Sequence, residues 1–385
     1  MKIQELVVDL LLEILLRLPP EPINLCYASL VCKGWRGLVN DASFLRRFRE
    51  FHGGTPPFLG FFGNNPKSIY DGVNNDQPPR PLFVPTFGDF AASTAAKMSH
   101  TDWRAHDSRH GRALLESLVS GTLLVWDLVT GDKHHLPSPH LDHDSSYQHN
   151  GTLLCAAGHT VTDHRDCRSC PFLVVYVFCP DESAICVCVW SSETGVWSEI
   201  TSMEIFGRME PMPPALVGNT LYWLLEYRVI IQYDLDNRTL GRTEELPLNI
   251  VTRRGFDMVI MTTEDGRLGL AGFEGRLLHL WSLMTGIDGL LTWTLQRVID
   301  LKKYIAPEPE RTCLAVGFAE EAGAIFFYVR PRIYMIHLKS RKIEEVSQTG
   351  YYGTNIIPYS SFYAPDSKQR FRLPAGFGVL EHPGV

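Results

Sequence analysis

The sequence predicts an α+β multidomain chain: an all-α helical module over residues 1–52, followed by an all-β propeller of about six blades over residues 53–385. Two observations carry this. Near the start, a leucine-rich run keeps helical spacing until a double proline stops it. From about His106 the period changes from helical to two, and a short aromatic–polar turn motif recurs.

The opening run spans residues 6–19. Between Leu6 and Leu18 the charged side chains are Asp9, Glu13 and Arg17, four apart, so a helix gathers them into one narrow stripe. Leu6, Val7, Leu10, Leu11, Leu12, Ile14, Leu15, Leu16 and Leu18 cover the rest. A soluble helix ordinarily buries one apolar stripe. Apolar surface on two faces calls for two partners, one of them outside the chain. Burying a leucine fully is worth about 1.5–3 kcal/mol, so leaving several in water is costly. Pro19-Pro20 ends this helix. Pro22 suits the first turn of a second helix, through Asn24, Leu25, Cys26 and Tyr27. Ser29 is placed as the cap of a third, with Leu30, Val31, Trp35, Leu38 and Val39 on one face. Residues 44–51 form a fourth, with Arg46, Arg47 and Arg49 outward. A unit of about fifty residues is too small to bury all that it carries.

Taken in order, the leucine run, the Leu18-Pro19 stop, Ala28-Ser29-Leu30-Val31-Cys32-Lys33 and Trp35-Arg36 make this segment resemble an F-box. That is the helical module through which SCF-type ubiquitin ligases recruit a substrate receptor to a Skp-type adaptor. Val7 stands where the family usually has proline. The resemblance implies an adaptor-binding set of Leu6, Asp9, Leu10, Leu11, Glu13, Ile14, Leu15, Leu18, Pro19, Leu30, Val31 and Trp35, its apolar members divided between adaptor contact and the module's own core. Leu15→Asp is then expected to abolish adaptor retention, by placing a charge in an apolar groove.

Composition narrows the classes. A net charge of -7 argues against a general nucleic-acid binder. No signal peptide is read at the start, and no apolar run is long enough to span a bilayer, so no membrane partner is expected. Nine irregularly spaced cysteines suit reduced thiols, hence the cytoplasm, the nucleus or both.

Within the region from His52 to Asp102, residues 58–62 alternate like a strand, residues 64–81 read as loop and residues 82–90 form a weaker apolar patch. Then the repeats begin. Trp126-Asp127-Leu128-Val129-Thr130-Gly131 is echoed by Trp190-Ser191-Ser192-Glu193-Thr194-Gly195, by Tyr233-Asp234-Leu235-Asp236-Asn237-Arg238 and by Trp281-Ser282-Leu283-Met284-Thr285-Gly286. A worn copy is Ile336-His337-Leu338-Lys339-Ser340-Arg341. Each closes a strand, and each has another apolar strand upstream, at 113–118, 172–178, 220–225, 268–273 and 324–329. The spacing of about forty to sixty residues is that of four-stranded propeller blades. A sixth blade closes the ring by pairing residues 58–62 with residues 359–365, which removes exposed edges. The combination is similar to the plant F-box-associated group, particularly its grass-type members, in which the propeller reads the substrate.

Chemistry-bearing residues are few. His159, His164, Cys167 and Cys170 have zinc-compatible types, but lie within a dozen residues between two strands, where a polar loop is the preferred reading. Cys186 and Cys188 share one strand face and read as small buried hydrophobes. His134, His135, His140, His143 and His149 have no ligand spacing. No G-x-S-x-G elbow, P-loop or H-E-x-x-H occurs. Asp265-Gly266 signals a hairpin turn, and Arg253-Arg254 an exposed pair. The loops taken to read a partner are 102–112, 142–151, 203–214 and 304–311. The expectation is a non-catalytic substrate receptor without cofactor: the first module docks the Skp-type adaptor and, through it, a cullin scaffold, while the propeller holds a target protein. The alternatives are a hydrolytic, carbohydrate- or small-ligand-binding propeller with an incidental helical start, and an adaptor-binding protein that assembles no ligase.

Overall fold

The computed structural model describes residues 3–64, 82–86, 102–137, 139, 148–156, 167, 170–181, 183–205, 207–225, 229–243, 246, 258–286, 289–304, 313–330, 332–347 and 355–363. Four helices open the chain: α1 (Ile3–Leu16), α2 (Pro22–Val31), α3 (Lys33–Val39) and α4 (Ala42–Phe51). Pro22 does start α2. Ser29, expected as the next cap, lies inside α2; it is buried and its hydroxyl donates to the Cys26 carbonyl at 2.6 Å. The cap of α3 is Cys32, whose Sγ accepts from the Trp35 N–H at 3.4 Å. Arg46 and Arg47 are exposed as expected, but Arg49 is buried. It stands one helical turn past buried Leu45, on the packed side of α4. Asp41 caps α4 by accepting from the Ser43 and Phe44 N–H groups, each at 3.0 Å. The Ser43 hydroxyl, then these backbone groups, hold its carboxyl below the usual range. No helix of the described residues is long and apolar enough to cross a membrane.

Strands β1 (Phe58–Asn64) and β2 (Phe83–Pro85) come next. Blade one is β3 (Trp103–Arg109), β4 (Arg112–Ser117), β5 (Leu123–Trp126) and β6 (Lys133–Leu136). Blade two is β7 (Gln148–Cys155), β8 (Phe172–Asp181), β9 (Ala184–Ser191) and β10 (Thr201–Glu204). Blade three is β11 (Ala215–Val217), β12 (Thr220–Leu224), β13 (Ile230–Asp234) and β14 (Thr239–Arg242). Blade four is β15 (Met258–Thr262), β16 (Leu268–Glu274), β17 (Leu277–Thr285) and β18 (Leu291–Asp300), and blade five β19 (Leu314–Ala319), β20 (Ala324–Val329), β21 (Arg332–His337) and β22 (Ile343–Ser347). β23 (Asn355–Ser360) pairs with β1, and β1 with β2, to give a three-stranded sixth blade. The innermost strands ring the axis, with β11–β15, β15–β19, β19–β23, β23–β3 and β3–β7 in contact.

Alternation within each strand explains the architecture. Successive residues face opposite neighbours, so one apolar core lies at each blade junction. In blade one, Leu114 packs toward blade two, while Ala113 and Leu115 pack toward blade six. Phe61 and Phe62 likewise part toward blades five and one.

The recurring motif is a capped turn. Asp127 Oδ1 accepts from the Val129 and Thr130 N–H groups at 2.8 and 3.0 Å, and Asp234 Oδ1 from those of Asp236 and Asn237 at 2.9 and 2.8 Å. The sixth position is left-handed in four copies: Gly131 (φ 79°), Gly195 (φ 70°), Arg238 (φ 53°) and Arg341 (φ 57°). The Trp281 copy departs from the expectation. β17 runs on through Thr285, and the turn falls at Gly286 to Leu290.

Three further expectations change. Residues 102–112 are no partner-reading loop: they hold β3, the inner strand of blade one. Residues 142–151 enter β7 at Gln148, and their first part lies outside the described residues, as do Arg253, Arg254 and, in 304–311, all but Tyr304. Ring closure uses residues 355–360 rather than 359–365, because Phe362 and Tyr363 leave the sheet to pack against the helices. Tyr359 latches blade six to blade one: its hydroxyl donates to the Gly111 carbonyl at 2.7 Å and accepts from the Leu128 N–H at 3.1 Å. Tyr359→Phe leaves both groups unpaired in a buried place, and is expected to cost about 1–3 kcal/mol in urea unfolding of the full chain; an unchanged midpoint would remove the latch from this account.

Candidate functional site

The helical module packs around Leu15, Leu16, Leu25, Cys26, Phe44 and Phe48, and Phe362 and Tyr363 complete that core. The Tyr363 hydroxyl donates to Asn40 Oδ1 at 2.9 Å. Burial pushes the Cys26 thiol up to about 11. Several apolar side chains are left over from this packing and stand exposed. Leu10 and Ile14, one turn apart on α1, are each 59% exposed. Leu30 and Val31 at the end of α2 are 40% and 61% exposed, and Val8 and Tyr27 are exposed beside them in sequence pattern.

The twelve expected adaptor-binding residues therefore divide. Asp9, Leu10, Glu13, Ile14, Pro19, Leu30 and Val31 are exposed; Leu11, Leu18 and Trp35 are half-buried. Leu6 lies in α1, and its side chain lies outside the described residues. Leu15 is enclosed, at 0% exposure, so an aspartate there acts on the module's stability rather than on an open groove. Glu13 pairs with Arg17 at 3.6 Å and with Arg47 at 3.5 Å, both exposed and worth at most about 1 kcal/mol each.

A cavity of about 600 Å³ lies where the module meets the propeller, bordered by Thr55, Arg109, Met212, Glu320 and Phe362. Arg109 is one of the charged residues at its wall, with Arg49, Asp107, Glu320 and Glu321. Its Nε donates to Asp107 Oδ2 at 3.0 Å, its Nη1 pairs with Glu320, and its Nη2 donates to the Pro214 carbonyl at 2.9 Å. Burial works to lower its pKa, but the Glu320 and Asp107 carboxylates outweigh that and raise it. Residues 203–214 are not simply the exposed loop expected. Asn150 Nδ2 donates to the Met212 carbonyl at 2.6 Å, and Asn355 Nδ2 donates to that of Pro211. With Arg109, these donors stand on the inner strands of blades two, six and one, so residues 211–214 are tied to those inner strands.

Sequence reasoning missed a buried polar cluster. Glu116 Oε2 accepts from His106 Nε2 at 2.9 Å and from His149 Nε2 at 2.6 Å, and Tyr176 donates to Oε1 at 3.4 Å. His149, one of the five histidines without ligand spacing, is part of it. Burial works to raise the Glu116 carboxyl, and the His149 and His106 imidazoles overturn that and hold it well below its range. Burial holds the His106 imidazole below its ordinary 6.5, against the pull of Glu116. Period-two patterning places these residues on strands but gives no sign that β3, β4, β7 and β8 aim them at one point.

The zinc-type residues are also rearranged. His159 and His164 lie outside the described residues, whereas Cys167 and Cys170 meet Cys155 at the end of β7. Cys186 and Cys188 sit in the apolar core between blades one and two, as expected.

Four helices with an apolar face left open, joined to a six-bladed ring, define an F-box protein with a propeller. The F-box domain model matches residues 3–47, and the model of "F-box protein AT5G49610-like, beta-propeller" matches residues 105–366, well over half of the chain. The chain belongs to this family. No curated protein matches it. Among solved structures it is similar to the extracellular domain of a one component system protein from B. thetaiotaomicron, at 7% identity and TM-score 0.36, over 77% of this chain and 30% of that one. It is also similar to the WD40 domain of SCAP from fission yeast, at 11% identity and TM-score 0.39, over 64% of this chain and 52% of that one. It thus spans less than two thirds of the length of either.

The buried cluster sets an acid limb to stability. His106 and Glu116 both have lowered folded-state pKa values, so each stabilises the fold above its unfolded value and loses that contribution as pH falls. Urea midpoints of the full chain are expected to fall first below about pH 6.5, as the unfolded imidazole takes a proton, and again below about 4.5, as the unfolded carboxyl does. Glu116→Ala is expected to lower stability by about 3 kcal/mol at pH 7 and to flatten the lower step. A midpoint independent of pH between 7 and 5 would contradict the assignment.

Proposed function

We propose that this chain is the substrate-recognition subunit of an SCF-type E3 ubiquitin ligase, working in the cytoplasm, the nucleus or both. The helical module docks the Skp-type adaptor and, through it, the cullin scaffold; the propeller binds the target protein. The observation that carries the reading is the apolar surface of Leu10, Ile14, Leu30 and Val31, left open after the module's core is complete. Side chains of this kind gain about 1.5–3 kcal/mol each when a partner covers them. Family membership supports the same reading. The receptor performs no covalent step of its own. Holding the target beside the charged conjugating enzyme replaces a bimolecular encounter by an intramolecular one and raises the effective concentration of the reacting groups.

Co-expression with the Skp-type adaptor and affinity capture tests this. The full chain is expected to retain adaptor and cullin together. Ile14→Asp and Val31→Asp, both at exposed positions, are expected to lower adaptor affinity at least tenfold without moving the melting temperature. Leu15→Ala is expected to destabilise the module by about 2–5 kcal/mol while the folded fraction still binds. Failure of the wild-type chain to hold the adaptor, or full retention by Ile14→Asp, would sink the proposal; adaptor without cullin would leave a docking protein that builds no ligase.

A further inference from the structure

We propose that Cys155, Cys167 and Cys170 form a zinc site that staples the long hairpin between β7 and β8. Their three Sγ atoms lie within 4.8 Å of one another. With Zn–S bonds of about 2.3 Å, tetrahedral thiolates stand roughly 3.8 Å apart, inside that envelope. The backbone is arranged for it. Cys155 ends β7 and pairs in register with Phe172 at the start of β8. The Ala156 N–H donates to the Pro171 carbonyl at 2.9 Å, which carries the hairpin one step further. The Cys170 N–H donates to the Cys167 carbonyl at 3.2 Å, so the C-x2-C pair forms a tight knuckle facing the third thiol. The sequence favours a polar loop over a two-histidine, two-cysteine set; among the described residues, Cys167 and Cys170 come together with a strand residue, so the ligands have two separated sources.

The other cysteines show why this is no packing accident. Cys26, Cys179, Cys186, Cys188 and Cys313 each belong to an apolar core, where a thiol acts as a small hydrophobe. Cys32 is exposed and caps α3. Cys155, Cys167 and Cys170 fall in none of the apolar cores, although Cys155 and Cys167 are buried. A cation stands beside them: Arg112 Nη2 donates to the Cys170 carbonyl at 3.2 Å, and its charge acts on all three sulfurs. Three thiolates around Zn²⁺ leave a net charge of about -1, which a neighbouring guanidinium offsets. The fourth position falls to a ligand outside these three. Tetrahedral thiolate-rich coordination selects zinc among divalent ions, and a cluster of iron and sulfur would ask for a fourth cysteine.

The test uses the full chain, purified under reducing conditions without chelator. Mass spectrometry of the metals is expected to find one zinc per chain, and chelation to lower the melting temperature until zinc is restored. Cobalt in place of zinc is expected to give an intense near-ultraviolet thiolate charge-transfer band, a readout that needs no variant. Cys155→Ser and Cys167→Ser are each expected to lose the metal, and Cys186→Ser, in an apolar core, to keep it. A folded chain that binds neither zinc nor cobalt, zinc retained by both variants, or a disulfide among the three cysteines detected by thiol titration would overturn the proposal.

Discussion

The pairing of β1 with β23 is the constraint on which the rest depends. Phe61 faces Pro358 and Phe62 faces Ile357, joining the two ends of the propeller sequence. Proline is admissible there because β23 is the edge strand of its sheet, hydrogen-bonded to β1 on one side only. Gly60 lets β2 close on the other side of β1: at φ 155° it sits where a Cβ would stand 2.4 Å from the Val84 carbonyl oxygen. Gly317 does the same on the other flank, with a Cβ placed 2.6 Å from the Ile356 oxygen, so β19 and β23 can approach closely. Closing the ring gives each end blade a neighbour to pack against and leaves only the short edges of the individual blades.

The same strand orders the helical module. Three residues after β23 ends, Tyr363 is bonded to Asn40, 323 positions earlier. Phe362 and Tyr363 enter the module's core, so the boundary between residues 1–52 and 53–385 is a boundary in sequence but not in packing. If the chain works as a receptor, this shared core fixes the docking face relative to the propeller, and proximity is most effective when geometry leaves little to search. The anchoring of residues 211–214 adds a second restriction, because Asn150, Asn355 and Arg109 hold that segment against the inner strands of three neighbouring blades.

What was legible in the sequence follows from how local its cause is. The capped turn after each central strand is a matter of one carboxylate and two N–H groups a few residues on, so Asp127 and Asp234 announced it. The leucine run, with its charged stripe, announced an uncovered face for the same reason. Trp281 misled because the same letters sit in the middle of β17 rather than at its end. Ser29 misled because a hydroxyl can bond back into its own helix as well as cap the next. The Glu116 cluster and the company of Cys155 were not legible at all. Each is assembled across blades or across a hairpin, and period-two patterning says which face a residue takes, not which residue it meets there.

The shared core also links two foldings that the sequence separates. A module of four short helices encloses little apolar surface on its own, and small units are marginal for that reason. Here two of its core side chains come from the segment that follows β23, hundreds of residues away in sequence, and contacts of that separation are a slow class to form. The free energy of closing the propeller and that of ordering the helices are thus not independent quantities. Tyr359, whose hydroxyl latches blade six to blade one, stands only three residues before the Phe362-Tyr363 pair that enters the module's core. The exposed apolar face of the helices therefore rests on a core to which the far end of the propeller sequence contributes.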